Sequence, residues 1–293
     1  MLKNLVYFGS AQFTADILES LIEAKIVNVV AVVTTPDKPV GRKQIVTPSS
    51  LALTAQKYNL PVYKPERLDE ANLAHLKLLK PDLFLVVAYG QYFTESWLKA
   101  PALKTLNIHF SLLPKYRGSL CVSEPLKNGD LETGVTLMEM GQKLDAGPII
   151  AQQKVFIDIN DNVQTLTAKL TQATIPLLST IYDLSSTIST PQDESLATFT
   201  PSFKTRTKKN AFIDFEVISQ AQNGIGALQT NNFIRSQNPD PGAWTIINDK
   251  EIKLLQTTVK DNKLILESVQ VAGKNPISWH QFLSGAKIPQ NLS

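Results

Sequence analysis

A chain of 293 residues exceeds the roughly 250 that one hydrophobic core usually serves, so two domains are expected. With 43% apolar and 19% charged residues it reads as globular, which excludes a disordered chain. The formal net charge is only +3, and a single cysteine, Cys121, excludes an internal disulfide and cannot alone build a zinc site, which favours a reducing cytosol.

The first residues lead directly into an apolar run at residues 5–9, so no signal or transit peptide is expected. No run of about eighteen apolar residues occurs, and no membrane span is expected. Residues 5–9, 27–34, 83–88 and 106–110 read as buried strands. Residues 13–24, 49–58 and 69–79, with apolar spacings of three and four, read as helices between them. This alternation predicts a Rossmann-like α/β domain around a mostly parallel, helix-covered sheet. Such sheets bind ligands beyond the carboxyl ends of their strands, where Gly9, Thr34, Tyr89, Gly90 and residues 107–111 fall. Gly9-Ser-Ala-Gln-Phe13 carries one glycine where a dinucleotide site needs Gly-x-Gly-x-x-Gly, and no phosphate-cradling Gly-x-x-x-x-Gly-Lys-Ser/Thr occurs. Neither nucleotide site is expected. Residues 134–139 and 149–157 read as two further strands with Asp145 in the loop between them, and a helix from 163 to about 184 closes the domain.

Residues 185–210 are rich in Ser and Thr, include Pro191 and Pro201, and end in Lys204, Arg206, Lys208 and Lys209, the composition of an exposed linker. A polar helical stretch at 217–236 follows. Strand-like runs at 243–247, 252–256, 263–271 and 279–283, separated by Asn-Asp and Asp-Asn turns, then predict a small β-barrel or sandwich. Residues 204–293 hold eleven Lys or Arg against seven Asp or Glu, a balance of +4. Residues 1–203 hold eighteen against nineteen, or −1. A basic small barrel fits a polyanionic partner, although basic surface also serves solvation.

Asn107, His109 and Asp145 form the most informative group. An amide can donate to a developing oxyanion, an imidazole can move a proton, and a carboxylate can orient that imidazole. No Ser or Cys stands in a nucleophile elbow, which points to direct acyl transfer between two bound substrates. The plainer reading is that a strand-end Asn and His satisfy backbone groups and that Asp145-Ala-Gly147 is a turn. His75 and His280, without motif partners, read as surface or packing residues.

Asn107-Ile-His109-x-Ser111-Leu-Leu-Pro114-Lys-Tyr-Arg117-Gly118, Asn128-Gly-Asp-x-Glu132-Thr-Gly134 and Leu144-Asp145-Ala-Gly147-Pro, in that order, resemble the folate-dependent formyltransferase superfamily. Thr35-Pro-Asp-Lys38-Pro-Val-Gly-Arg42, Phe199-Thr-Pro201 and Asn238-Pro-Asp-Pro241-Gly242 resemble its branch that acts on charged tRNA. The resemblance implies that Asn107, His109 and Asp145 match the catalytic trio and that Ser111, Leu112, Leu113 and Pro114 line the folate site. It implies 10-formyltetrahydrofolate as co-substrate, no metal, and initiator methionyl-tRNA as partner, met by Lys38, Arg42 and Lys43 and by Lys208 and Lys209. It also implies a catalytic domain at 1–184, a linker at 185–210 and an OB-like tRNA-binding domain at 211–293, in a monomeric cytoplasmic enzyme. An amino-sugar formyltransferase and a degenerate homologue that binds tRNA without transfer remain the alternatives. The chain departs from the superfamily pattern at Phe110, beside His109, at Cys121, Ser123 and Glu124, and in extra residues between Asn223 and Phe233.

Overall fold

A computed structural model of the chain describes residues 2–40, 43–184 and 188–285. They divide into two compact units. The first runs up to Arg117 and includes Gly134–Val155 and Ala168–Phe199; the second comprises Gly118–Thr133, Phe156–Thr167 and the chain from Thr200 onward.

The elements begin β1 (Asn4–Gly9), α1 (Thr14–Ala24), β2 (Asn28–Val33), β3 (Lys38–Val40), β4 (Ile45–Thr47), α2 (Ser50–Lys57), β5 (Val62–Tyr63), α3 (Glu70–Lys77), β6 (Leu83–Val87), α4 (Glu95–Leu98) and β7 (Lys104–His109). They continue with α5 (Ser123–Asn128), β8 (Glu132–Glu139), β9 (Ile149–Phe156) and α6 (Val163–Leu178). The central sheet has the order β5-β2-β1-β6-β7-β8-β9. Pairings from β5 to β7 are parallel, and β8 joins β7 antiparallel. Strands of a sheet covered on both faces need apolar residues at every position, and Leu5, Val6, Tyr7 and Phe8 of β1 are all fully buried.

Local chemistry starts the flanking helices. Ser49 accepts from the Ala52 amide at 3.1 Å to begin α2, and Asp69 accepts from the Asn72 amide at 2.9 Å to begin α3. Helix α1 buries Ala15, Ile17, Leu18 and Leu21 and ends at Lys25 in the left-handed region, φ 51°. The segment after β2 carries a hairpin, β3 paired with β4, with Ile45 and Val46 exposed. Helix α6 stops at Leu178 and passes into a 3-10 turn at Ser179–Ile181, short of the expected end near 184. Pro176 lies in its last turn, where a missing amide and a bulky ring weaken the helical ladder.

In the second unit, α7 (Phe215–Gln222) and α8 (Ala227–Gln237) precede β10 (Trp244–Ile247), β11 (Lys250–Lys260), β12 (Lys263–Val271), β13 (Ile277–Ser278) and α9 (Trp279–Gly285). Among the described residues the strands form one antiparallel sheet in the order β10-β11-β12-β13. Asn248-Asp249 and Asp261-Asn262 are two-residue turns in which all four residues have φ between 48° and 58°, the conformation that suits the twist of a tight hairpin. The single helix expected at 217–236 is two helices, because Gly224 and Gly226 adopt φ of 94° and 71° and break the ladder between α7 and α8. The strand expected at 279–283 is helix α9. The Gln281 amide donates to Ser278 Oγ at 3.1 Å and the Ser278 amide donates to Gln281 Oε1 at 3.0 Å, a reciprocal cap. Trp279 and Phe282, three residues apart, both face the core with ring centroids 5.2 Å apart.

Candidate active site

Successive side chains on a strand alternate faces, so Asn107 and His109 near the carboxyl end of β7 share one. Asn107 pairs with Val86 of β6 and Met138 of β8, and His109 pairs with Thr136 of β8. Asn107 is partly exposed; His109 is buried. The His109 Nε2 lies 3.0 Å from the Tyr116 carbonyl oxygen. A carbonyl only accepts, so Nε2 carries a proton in this contact. Its Nδ1 faces Asp145, whose Oδ2 is 3.7 Å away, beyond hydrogen-bonding distance. Asp145 belongs to the loop between β8 and β9 and stands in the left-handed region at φ 47°. The structure thus brings together His109 and Asp145, 36 positions apart in the chain.

Ser111, Leu112, Leu113 and Pro114 follow directly, with a cis bond between Leu113 and Pro114. Thr136 organises them: its hydroxyl donates to the Ser111 carbonyl at 2.6 Å and accepts from the Leu113 amide at 3.2 Å and from Gln152 Nε2 at 2.9 Å. Gln152 Nε2 also donates to the Leu113 carbonyl at 2.9 Å. Leu113 is buried and Leu112 and Pro114 are partly exposed, giving an apolar wall on a fixed backbone. Phe110, the bulky departure beside His109, is 4% exposed and stacks on Phe13 at 4.8 Å between centroids. Its ring has found a pocket.

Residues 3–181 match the family model described as formyl transferase, and residues 207–264 match that described as formyl transferase, C-terminal domain. This chain belongs to the formyl transferase family. It is 36% identical to a methionyl-tRNA formyltransferase of Staphylococcus epidermidis, across 98% of this chain and 97% of that one. It is 38% identical to a methionyl-tRNA formyltransferase of Lactobacillus acidophilus, across 90% of this chain and 82% of that one. A solved sugar 3N-formyl transferase, in the presence of dTDP and 5-N-formyl-THF, superposes with a TM-score of 0.65 over 94% of this chain at 18% identity, a likeness of fold.

The formyltransferase holds its Asp145 loop through Gln192, which carried no signal in the sequence, and Arg117, which belongs to the Asn107–Gly118 motif. Gln192 Nε2 donates to the carbonyls of Asp145 and Gly147, at 2.8 and 2.7 Å. Arg117, 2% exposed, donates from Nε and Nη2 to Gln192 Oε1 at 3.1 and 2.8 Å and makes two bonds of 2.9 Å to the Glu194 carboxylate. That guanidinium holds the Glu194 carboxyl below the usual carboxylate range, chiefly through the hydrogen bonds. Within the stretch expected as a linker, residues 190–199 are thus tied down by hydrogen bonds. Thr190 exchanges two 2.8 Å backbone bonds with Ile149, and Arg117 forms a bridge with Phe199.

The basic candidates differ in their surroundings. Lys38 and Lys43 are exposed; Arg42 lies outside the described residues. Lys208 and Lys209 are both exposed, and Lys208 is paired with Glu251 at 2.6 Å and sits 5.0 Å from the centre of the Trp244 ring. Arg206 donates to the carbonyls of Ser236, Gln237 and Asp240 at the end of α8, so its charge serves as a helix cap. Cys121 precedes α5 and Ser123 and Glu124 begin it; α5 packs on α8, and a Cβ on Gly129, just past α5, would lie 2.5 Å from Asn232 Nδ2. His75 and His280 are exposed.

Proposed function

We propose that this formyltransferase transfers the formyl group of 10-formyltetrahydrofolate to the α-amine of methionyl initiator tRNA, the formylation step of translation initiation. The observation that carries the chemistry is the meeting of His109 and Asp145 at 3.7 Å beside Asn107, at the strand end where an α/β sheet receives ligands. The choice of acceptor is supported by identities of 36% and 38% to relatives named for that acceptor, over nearly the whole chain.

In this reading the Leu112 and Leu113 side chains and the fixed Ser111–Pro114 backbone, numbered 111–114, receive the flat ring of the folate. The methionine amine attacks the formyl carbon without needing a strong base, since α-amines titrate near pH 7.7 to 8.0. Asn107 donates to the oxyanion that forms. As the bond between the formyl carbon and the folate nitrogen breaks, that nitrogen must gain a proton and the amine must lose one. His109, oriented by Asp145, moves it. No covalent enzyme intermediate is required. Lys38, Arg42, Lys43, Lys208 and Lys209 contact tRNA phosphates, and the division into a catalytic part at 1–184, a linker at 185–210 and a tRNA-binding part at 211–293 belongs to the same reading. One chain supplies every group, so we take the enzyme as a monomer, acting in the cytoplasm where charged initiator tRNA is found.

A formyl-transfer assay with 10-formyltetrahydrofolate and three acceptors tests it. Product on charged initiator tRNA is expected. Product only on an amino-sugar nucleotide would replace the acceptor, and tRNA binding without product on either would make the chain a degenerate homologue.

A further inference from the structure

We infer that Gln192 is a positioning residue for formyl transfer, acting through Asp145, with Arg117 fixing which way its amide points. This rests on the function proposed above.

The amide has one accepting and one donating end. Arg117 can only donate, so its two contacts at 3.1 and 2.8 Å assign the oxygen of Gln192 to the guanidinium. The nitrogen is left facing the two carbonyls of the Asp145 turn, at 2.8 and 2.7 Å, and carbonyls only accept. The orientation is chemically determined from both sides. The guanidinium is itself held by the two 2.9 Å bonds to Glu194 and is 2% exposed, so it cannot swing away without leaving a charge buried.

The turn needs such a clamp. Asp145 stands at φ 47° in the loop between β8 and β9, outside any strand or helix that could fix its direction. On its other side the turn has no slack: a Cβ on Gly147 would lie 1.8 Å from the Glu139 carbonyl oxygen. Gln192 therefore holds the turn by two of its carbonyls, and the Glu139 carbonyl of β8 limits how far it can shift. The Asp145 carboxylate, which has no rigid element of its own, is delivered to His109 Nδ1 by this arrangement. Gln192 touches no reacting atom in this account; it sets where a catalytic carboxylate stands.

The discriminating variant is Gln192→Glu in the full-length protein. It keeps the acceptor that Arg117 binds and so keeps the segment pinned, but it cannot donate to the Asp145 and Gly147 carbonyls. The expected result is a melting temperature close to that of the parent, a fall in kcat on the order of 10²-fold with KM for donor and tRNA little changed, and faster hydrogen exchange confined to a peptide covering 140–149. In an Asp145→Ala background the same change should cost little more, since it acts through the residue already removed. An unchanged kcat and unchanged exchange would overturn the inference, as would a loss that adds in full to that of Asp145→Ala. Should the parent protein fail to formylate any charged tRNA, the acceptor reading falls, and the exchange comparison alone decides whether Gln192 clamps the turn.

Discussion

Phe110 stacks on Phe13, their ring centroids 4.8 Å apart and their planes inclined by 28°. The residue that follows His109 is thereby tied to the loop after β1 by one apolar contact. Phe110 is 4% exposed, so its removal leaves a void that the β7 end cannot fill by itself. Phe110→Ala should destabilise the protein by about 3 kcal/mol, the lower end of the range for buried Phe because Phe13 is itself partly exposed. Denaturant unfolding checks this, and a loss under about 1 kcal/mol would mean that the stack is not a packing element.

The catalytic assignments separate chemistry from binding. Asn107→Ala should lower kcat by about 10² to 10³-fold, the usual loss of one oxyanion donor, and His109→Ala by about 10² to 10⁴-fold. Affinity for tRNA should be unaltered in both. Steady-state kinetics and a direct binding titration, run side by side, decide it; equal losses in both would contradict the assigned roles.

Gly147 is fixed by space rather than by backbone angle. In Gly147→Ala the new methyl would stand 1.8 Å from the Glu139 carbonyl oxygen, a backbone atom that cannot swing aside. The Asp145 turn must shift. Turnover should fall on the order of 10²-fold, as for a misplacement of about 1 Å, and the melting temperature should fall with it. Near-normal kcat in a folded Gly147→Ala protein would show that the turn has freedom the structure does not give it.

The clasp between Arg117 and Glu194 carries a pH signature. The Glu194 carboxyl is held below its usual range by hydrogen bonds from Arg117. A depressed carboxyl contributes stability that is complete above the ordinary value of about 4.3 and is lost as pH falls through the lower folded value. The melting temperature of the parent should therefore exceed that of Glu194→Gln by a constant margin between pH 5 and pH 7, expressed as about two pH units of plateau, and the margin should close in more acid solution. Melts across that range test it. A margin that widened on acidification would reverse the sign and contradict the assignment.

On the second unit, Lys208 and Lys209 should not contribute alike. Both are exposed, but Lys208 must exchange its 2.6 Å contact with Glu251 for a phosphate. Lys209→Ala should reduce the salt dependence of tRNA affinity by about 0.7 to 0.9 in log–log slope, with a smaller change for Lys208→Ala. Titrations at several salt concentrations measure both slopes.

Periodicity and turn chemistry made most of the fold legible. The apolar runs of β1, β2 and β6 announce a parallel sheet because burial on both faces leaves no polar alternation. The Asn248-Asp249 and Asp261-Asn262 turns mark the C-terminal hairpins because those residues tolerate positive φ. What failed did so for local reasons. Trp279 and Phe282 look like strand residues by type, and only the cap between Ser278 and Gln281 makes them a helix. Gly224 and Gly226 divide a stretch whose apolar spacing runs on across them. At the site, Asn107 and His109 were legible because two residues apart on one strand is a fixed geometry. Gln192 was not, since its role comes from a tertiary meeting with Arg117 and the Asp145 carbonyls, in a stretch whose composition speaks only of a loop.

The central claim is that Asn107, His109 and Asp145 together transfer a formyl group to a charged tRNA. Single-turnover formylation of methionyl initiator tRNA by saturating enzyme and 10-formyltetrahydrofolate isolates that step from product release. The parent protein should form formylmethionyl-tRNA rapidly, with the rate lost on the order of 10²-fold or more in His109→Ala and tRNA still bound. A parent protein that binds tRNA and donor but yields no formylated product, or a His109→Ala variant as fast as the parent, would contradict it.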